Sequence, residues 1–258
     1  MTEFRTIAVP LSKVANISGF HPVKPLSLSQ KPHFHPLLGV SEIVAFDLET
    51  TGLRPKKEEI TQIAAIKLGG MRMEMESSFT TYVDPGKPIP KKIQTLTRVR
   101  DSDVEEAPSP KEAIQMLSDF AGNATFFGHD IYRFDFQYIA KHVDVDPTAS
   151  RTVRFIDTMD IFEALWPDFS RLRNSLDDIA ERLAAGLSSI RRHDAQGDAI
   201  LLAHVFQRIQ VHPELDKLCS KVSVHEALLP STPSEARTEI DQARLFERLS
   251  FPIRAKRF

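Results

Sequence analysis

Two acidic residues stand two positions apart at the end of a predicted buried strand. The run Ile43-Val44-Ala45-Phe46 is apolar at successive positions, as in a central strand covered on both faces, and it leads into Asp47-Leu48-Glu49. Side chains at positions i and i+2 of a strand share a face, so both carboxylates project the same way, with their backbones about 6.5–7 Å apart. Two like charges at a buried position require a counter-ion, which indicates either a structural ion pair with a lysine or arginine or a metal site.

The spacing alone is not specific, because a second pair of this type, Asp103-Val104-Glu105, stands in a polar segment. There the pattern predicts a solvated helix start. The first pair differs through its position at the carboxyl end of a buried strand, where open α/β sheets bind their ligands.

Two more carboxylates fall on the apolar faces of predicted helices. Asp198 lies in the middle of the apolar stripe of a helix predicted over about 194–209, and Asp135 in that of a helix predicted over about 131–143. Charges in place of apolar groups are expected mainly at functional sites. Four converging carboxylates repel one another unless hard divalent cations lie among them, and an oxygen-only ligand set suits Mg²⁺ or Mn²⁺ better than zinc.

His193 stands five residues before Asp198, at the start of the same predicted helix. An imidazole titrates near neutral pH, so a histidine beside an inward-facing carboxylate could act as a general base. The alternative is an exposed histidine at a helix N-terminus with no chemical role.

The elements that must position these residues follow an α/β pattern. Short connections between the first three predicted strands favour an antiparallel meander, and the strand–helix alternation that follows favours parallel strands. This pattern therefore predicts a five-stranded mixed sheet, with three antiparallel strands followed by two parallel ones, and flanking helices. The strands are predicted at 43–46, 60–68, 71–83, 125–127 and 153–156, and the helices near 91–96, from 110, and over 131–143, 158–165, 175–187 and 194–209.

Three segments of different character divide the chain. Residues 1–40 are rich in proline and show no sustained periodicity, which predicts an extended arm or linker, whereas residues 41–210 carry the α/β pattern. Residues 211–258 form a predicted C-terminal helical extension, in which 234–249 could be an amphipathic helix that packs on the domain or binds a partner.

Composition excludes several classes of protein. The 258 residues carry a net charge of −2 and a single cysteine, Cys219. No stretch approaches the roughly 20 apolar residues of a membrane span, the N-terminus does not resemble a signal peptide, and one cysteine favours a reducing, cytoplasmic setting. Since there is no global positive field, any nucleic-acid binding must be local.

Three ordered motifs resemble those of the DEDDh (DnaQ-like) 3′–5′ exonucleases, the family of the proofreading ε subunit of bacterial DNA polymerase III. The resemblance covers about residues 41–210, and the second motif departs from the common pattern, because Asp130 stands where asparagine is usual and Asp135 follows five residues later rather than four. The motifs are Phe46–Gly52, Gly128–Asp135 and His193–Ala199, supported by the segments Gln62-Ile63-Ala64, Pro88-Ile89-Pro90 with Leu96-Thr97, and Ile156-Asp157-Thr158.

The resemblance implies a ribonuclease H-like fold and two-metal hydrolysis of phosphodiester bonds with Mg²⁺ or Mn²⁺. It assigns Asp47, Glu49 and Asp198 to the nucleophile-side cation. Asp47 would bridge to a second cation, Asp135 would act there largely through water, and His193 would deprotonate the attacking water.

The resemblance also places several residues near the terminal nucleotide. They are the backbone around Thr50 and Thr51 and the side chains of Leu53, His129 and Phe134. Leu53 and Phe134 are equally well explained by hydrophobic packing.

The expected substrate is a nucleic-acid 3′ end, with single-stranded or frayed DNA preferred over RNA, in proofreading or repair. The alternatives are an exoribonuclease acting on RNA or short oligoribonucleotides, and a non-catalytic nucleic-acid or polymerase adaptor. A polymerase or another protein could bind the N- or C-terminal extension, and no membrane partner is expected. Deletion of residues 1–38 or 212–258 is expected to leave the core chemistry intact, because the motifs lie outside both.

Overall fold

A six-stranded mixed sheet forms the centre of the computed structural model, which describes residues 42–69, 74–144, 149–167, 174–185 and 189–231. The spatial order of the strands is β3-β2-β1-β4-β5-β6. β1, β2 and β3 form an antiparallel meander, β4 and β5 run parallel to β1, and β6 is antiparallel to β5. The strands are β1 (Glu42–Thr50), β2 (Ile60–Gly69), β3 (Glu74–Tyr82), β4 (Thr125–Gly128), β5 (Ser150–Asp157) and β6 (His225–Pro230).

Helices cover both faces of this sheet, as the doubly apolar sequence of β1 requires. On one face Ala45 packs in a core with residues of α5, α6, α7 and α8, and on the other Phe46 packs with α3 and α4. Successive residues of β1 thus enter different cores. The helices are α1 (Lys91–Thr97), α2 (Asp101–Val104), α3 (Pro110–Ala121), α4 (Asp135–Ile139), α5 (Thr158–Leu165), α6 (Leu176–Arg182), α7 (Ala195–Gln210) and α8 (Leu215–Lys221).

The predicted α/β class, with three antiparallel strands followed by two parallel ones and flanking helices, is confirmed. The predicted number of five strands is wrong, because β6 adds a sixth from within the predicted C-terminal extension. Among the described strands β6 pairs only with β5, and it ends at Pro230, which has no N–H to donate. A short edge strand with a proline carries little sequence signal, and the free edge of β5 is what recruits it.

The described part of the extension is a helix and a strand that both contact the domain. Leu218 in α8 and Leu229 in β6 are buried, and Ser118 of α3 donates a hydrogen bond from its hydroxyl to the carbonyl of Pro230 at 2.7 Å. The predicted arm over 1–40 and the predicted amphipathic helix over 234–249 lie outside the described residues. Among the described helices, none has the length and apolar character needed to cross a bilayer.

Candidate active site

Three carboxylates from two elements meet at the carboxyl end of β1. Asp47 and Glu49 share one face of the strand, and α7 packs across that face, so that Asp198 in its first turn points towards them. One carboxylate oxygen from each of the three lies within 4.8 Å of the other two. The structure therefore brings together three of the four carboxylates that the sequence singles out.

The fourth carboxylate, Asp135, lies beside this group rather than in it. It is the first residue of α4 and is 3% exposed, and its Oδ1 has no hydrogen-bond partner among the described residues. Its negative charge helps to raise the pKa of Asp47, so the two carboxyls are close enough to interact. The Tyr138 hydroxyl, on the same helix, donates to the carbonyl of Gly52 at 2.5 Å and ties α4 to the turn that follows β1.

Burial and mutual repulsion make these carboxyl groups hold their protons. Burial is the main reason why the pKa of Asp47 is well above its ordinary value, and the charges of Asp135 and Glu49 raise it further. Burial and the charge of Asp194 raise the pKa of Glu49 to about 7. The pKa of Asp135 is raised as well, again chiefly by burial. A cation placed among these groups would reverse the effect, because it favours the ionised forms.

One arginine lies at the cluster. Arg192 forms an ion pair with Asp198 and donates from Nε to Oδ1 of Asp177, at the start of α6, at 2.5 Å. Among the described ion pairs, none joins Asp47, Glu49 or Asp135 to a lysine or arginine. A single guanidinium cannot compensate four carboxylates, so the structural ion-pair alternative explains Asp198 only.

Asp157 holds the loop that carries the second motif. Its carboxylate accepts hydrogen bonds from the backbone N–H groups of Asp130 at 3.0 Å, Tyr132 at 3.2 Å and Met159 at 2.9 Å. Burial is the main cause that raises its pKa to about 6. The prediction of a helix over 131–143 is too long. Residues 131–134 form turns and the helix covers only Asp135–Ile139, since the N–H of Phe136 bonds to the carbonyl of Ile131, five residues back, and so does not continue a helical ladder.

Gln62 positions the start of α7 from the neighbouring strand β2. Its side-chain carbonyl accepts the N–H of Ala195 at 3.2 Å, and its amide nitrogen donates to the carboxylate of Asp194 at 3.2 Å. A side chain at Gly197 would place its Cβ 1.9 Å from the carbonyl oxygen of Arg191, so only glycine lets the preceding loop cross the helix here.

His193 lies in that loop, at the rim of the carboxylate group. Its backbone has a left-handed φ of 55°, its N–H donates to Oδ2 of Asp198 at 3.3 Å, and the residue is exposed. The structure thus brings the backbone of His193 to Asp198 and leaves the residue exposed to solvent.

The residues predicted near the terminal nucleotide surround the same edge of the sheet but differ in exposure. Thr50 and Thr51 are buried, and their hydroxyls bond to the Gly52 carbonyl at 2.7 Å and to Glu58 at 2.9 Å, so their side chains stabilise the turn after β1. Leu53 at this turn is 81% exposed, so it does not pack in the core.

His129 and Phe134 belong to the second motif. The ring of Phe134 packs against Tyr138, with ring centroids 5.0 Å apart. Nδ1 of His129 lies 2.7 Å from the Thr158 hydroxyl, and burial lowers the pKa of the imidazole.

Sequence reasoning did not single out Arg192, and it noted Gln62 and Asp157 only as supporting segments. Arg192 carries no periodic signal, and its position directly before His193 is the one available hint. The side chains of Gln62 and Asp157 matter through hydrogen bonds to distant backbone groups, which no local pattern encodes.

Comparison with known proteins identifies the family. The model of the RNase_T family, described as "Exonuclease", matches residues 44–206. The chain belongs to this exonuclease family. The predicted resemblance to DnaQ-like 3′–5′ exonucleases is thereby confirmed.

Curated relatives of this exonuclease-family chain are much longer proteins. It is 33% identical over 172 residues to the DNA polymerase III PolC-type of Clostridium perfringens, a match covering 66% of this chain and 11% of that protein. It is 30% identical over 168 residues to the DNA polymerase III subunit epsilon-like protein of Rhodobacter capsulatus, covering 64% of this chain and 23% of that protein. The chain thus spans only a small part of these relatives.

Solved structures show the same fold. One that concerns 3′-end-specific recognition of a histone mRNA stem-loop by a 3′-exonuclease superposes with a TM-score of 0.59 at 16% identity, covering 76% of this chain and 72% of that one. At this identity the similarity establishes the ribonuclease H-like fold predicted from the motifs.

Proposed function

We propose that this exonuclease-family chain hydrolyses phosphodiester bonds from the 3′ end of a nucleic acid and releases nucleoside monophosphates. The observation that carries the proposal is the meeting of Asp47, Glu49 and Asp198, whose carboxylate oxygens lie within 4.8 Å of one another. A buried group of like charges costs free energy unless it binds cations, so its presence is explained by the chemistry it supports.

The site fits two divalent cations, Mg²⁺ or Mn²⁺. Its donors are carboxylate oxygens, and Oδ1 of Asp135 has no hydrogen-bond partner among the described residues. Asp47, Glu49 and Asp198 would hold one cation, and Asp47 with Asp135 would hold the second, where Asp135 acts largely through water. When bound, such a cation pair stabilises the charge on the attacking and leaving oxygens.

His193 would serve as the general base. Its exposed imidazole would accept a proton from the water whose oxygen attacks the phosphorus, and the bond to the leaving 3′ oxygen then breaks. Asp198 accepts the backbone N–H of the same residue and so holds the loop in place.

The terminal nucleotide would bind at the turn after β1 and the second-motif loop. We assign the backbone around Thr50 and Thr51 to its sugar and phosphate, and Leu53, His129 and Phe134 to its base and sugar. The 81% exposure of Leu53 supports this role, because a large apolar side chain at the rim of a polar site is free to contact a base.

DNA is the preferred substrate in this proposal, as single strands or frayed ends, in proofreading or repair. The relatives named as DNA polymerase III proteins support it, and they also suggest a polymerase as partner, bound through the N- or C-terminal extension, in the cytoplasm. The fold shared with a 3′-exonuclease that recognises histone mRNA supports RNA as the second candidate.

A substrate panel tests these assignments. Single-stranded DNA, duplex DNA with a mismatched 3′ end, RNA and an RNA–DNA hybrid, each labelled at either end, are incubated with Mg²⁺ or Mn²⁺. We expect mononucleotides from the 3′ end and faster cleavage of single-stranded DNA. Faster cleavage of RNA would favour the exoribonuclease, since only RNA offers the 2′-OH. Binding without any cleavage would favour the non-catalytic adaptor.

A further inference from the structure

Three residues on neighbouring strands form a row across the sheet that begins at the carboxylate cluster. In the strand register Glu49 of β1 pairs with Gln62 of β2, which pairs with Tyr82 of β3. Residues paired in this way share a face, and neighbouring strands lie about 4.8 Å apart, so the backbone of Tyr82 lies about 10 Å from that of Glu49 on the face that carries the cluster. Tyr82 ends β3, at one edge of the sheet, and is 38% exposed.

Two arginines lie along the same route. Arg191, in the loop before α7, is exposed. Burial raises the pKa of the Tyr82 phenol, and the charges of Asp103 and Asp194 raise it further. The charge of Arg191 lowers this pKa, so the Arg191 guanidinium lies within electrostatic reach of the Tyr82 ring. Arg98, at the end of α1, donates from Nη1 to the carbonyl of Arg192 at 3.2 Å.

Both guanidinium groups are available to a ligand. In the part of the chain that the structure describes, neither Arg98 nor Arg191 forms an ion pair with a carboxylate. The left-handed backbone of Arg98, with φ 65°, caps the C-terminus of α1, where its N–H donates to the carbonyl of Gln94. Arg98 is joined to this group through the carbonyl of Arg192, next to Arg191, and an exposed aromatic ring near guanidinium groups without carboxylate partners is a combination that binds single-stranded nucleic acid.

We propose that Tyr82, Arg98 and Arg191 form an upstream binding track for single-stranded nucleic acid, on which the base of the second or third nucleotide from the 3′ end stacks. Arg98 and Arg191 bind the phosphates on either side of that base. The proposal rests on the proposed exonuclease function and adds to it the direction in which the strand leaves the site, over β2 and β3. A net charge of −2 is compatible with such a short track, because few phosphates need to be neutralised.

Hydrolysis kinetics on substrates of increasing length test the track. The set runs from the 4-nitrophenyl ester of thymidine 5′-monophosphate, which offers a terminal nucleotide alone, to oligodeoxynucleotides of up to ten residues. We expect Tyr82→Ala to raise KM at least about fivefold for the longer substrates, to leave their kcat unchanged and to leave the ester unaffected. Tyr82→Phe, which keeps the ring, should behave as the wild type.

The arginines are tested through salt dependence. Arg191→Gln should reduce the slope of log KM against log salt concentration by about 0.7 for long single strands, the value for one lost phosphate contact. Arg98→Gly, which suits the left-handed backbone, should give a similar reduction.

Leu228→Ala is the matched control, because Leu228 is 39% exposed on β6, at the opposite edge of the sheet. Tyr82→Thr, which keeps a strand-forming residue, replaces Tyr82→Ala if the latter unfolds. An unchanged KM at every length, or an equal loss for ester and oligonucleotides, would overturn the track. Failure of the wild type to cleave any of these substrates with either metal would instead overturn the proposed function.

Discussion

Arg192 forms an ion pair with Asp198, one of the three carboxylates that meet within 4.8 Å at the end of β1. Its positive charge also lowers the pKa of Asp47 and of Glu49, against the larger effect of burial. The guanidinium thus provides part of the compensation that a bound cation would provide, and the two would compete for the Asp198 carboxylate.

Removing this guanidinium should strengthen cation binding. For Arg192→Gln we expect the Mn²⁺ dissociation constant at about pH 8 to fall roughly tenfold, because a positive charge a few ångströms from the cation is lost. Titration calorimetry measures this directly. Arg208→Gln, near the far end of α7, controls for the change in net charge, and unaltered affinity in both variants would show that Arg192 does not compete.

The two Asp-x-Glu pairs of the chain provide a matched test of the cluster. Glu49→Gln should lower kcat for nucleic-acid hydrolysis at least about 10³-fold and weaken cation binding, since a neutral amide is a poor ligand for a hard cation. Glu105→Gln changes the exposed glutamate of the other pair and should have no effect on either quantity. Equal activity of the two variants would contradict the assignment of the cluster.

Loss of the imidazole should slow chemistry without affecting cation binding. We expect His193→Asn to lower kcat by about 10² to 10⁴. Asparagine is chosen because it tolerates the left-handed φ of 55° at this position. His212→Asn, past the end of α7, serves as the control. A fully active His193→Asn enzyme would instead show that His193 is an exposed histidine with no chemical role.

Glu49 should contribute stability to the metal-free protein that is lost as pH rises from about 4.5 to about 7, in the opposite direction to His129, whose pKa is lowered by burial. Glu49 keeps its proton up to about pH 7 in the folded protein, whereas the unfolded chain releases it near its ordinary pKa, so the folded state binds more protons in this window. Asp157, with a pKa of about 6, acts in the same direction over a lower range.

Cations should remove this dependence. Because Mg²⁺ and Mn²⁺ bind the ionised carboxylates, we expect their stabilising effect on the thermal midpoint to be larger at about pH 8 than at about pH 5.5. Thermal denaturation in chelator and in excess Mg²⁺ across this range measures it. A cation effect that is the same at both pH values would be inconsistent with raised carboxyl pKa values at the site.

The position of β6 revises the expected effect of C-terminal deletions. Removing residues 212–258 takes away β6 and the buried residues Leu218, Val222 and Leu229, so we expect an unfolded or insoluble protein rather than an intact catalytic core. Removing 232–258 should retain the fold and activity on short substrates. Circular dichroism and the nitrophenyl ester assay compare the two truncations, and a folded, active 1–211 protein would show that β6 is dispensable.

The sequence by itself determined which residues could do chemistry and the order of most elements. Asp47 and Glu49 follow a doubly apolar strand, and Asp198 interrupts the apolar stripe of a helix, because strand and helix periodicities are local properties of the chain. The start of α3 at Pro110, predicted from the sequence, follows from local capping chemistry in the same way, and in the structure Ser109 and Glu112 form a capping box there.

Only the tertiary structure decided what those residues meet. Arg192 forms an ion pair with Asp198, Gln62 holds the start of α7, Asp157 anchors the loop before α4, and β6 adds to the free edge of β5. Each of these contacts joins residues through side-chain reach or strand pairing that depends on how the helices pack across the sheet. The periodicity of the sequence specifies which face of a helix or strand a residue occupies. The packing of helices on the sheet specifies which side chains it meets, and the charge balance at the carboxylates depends on those side chains.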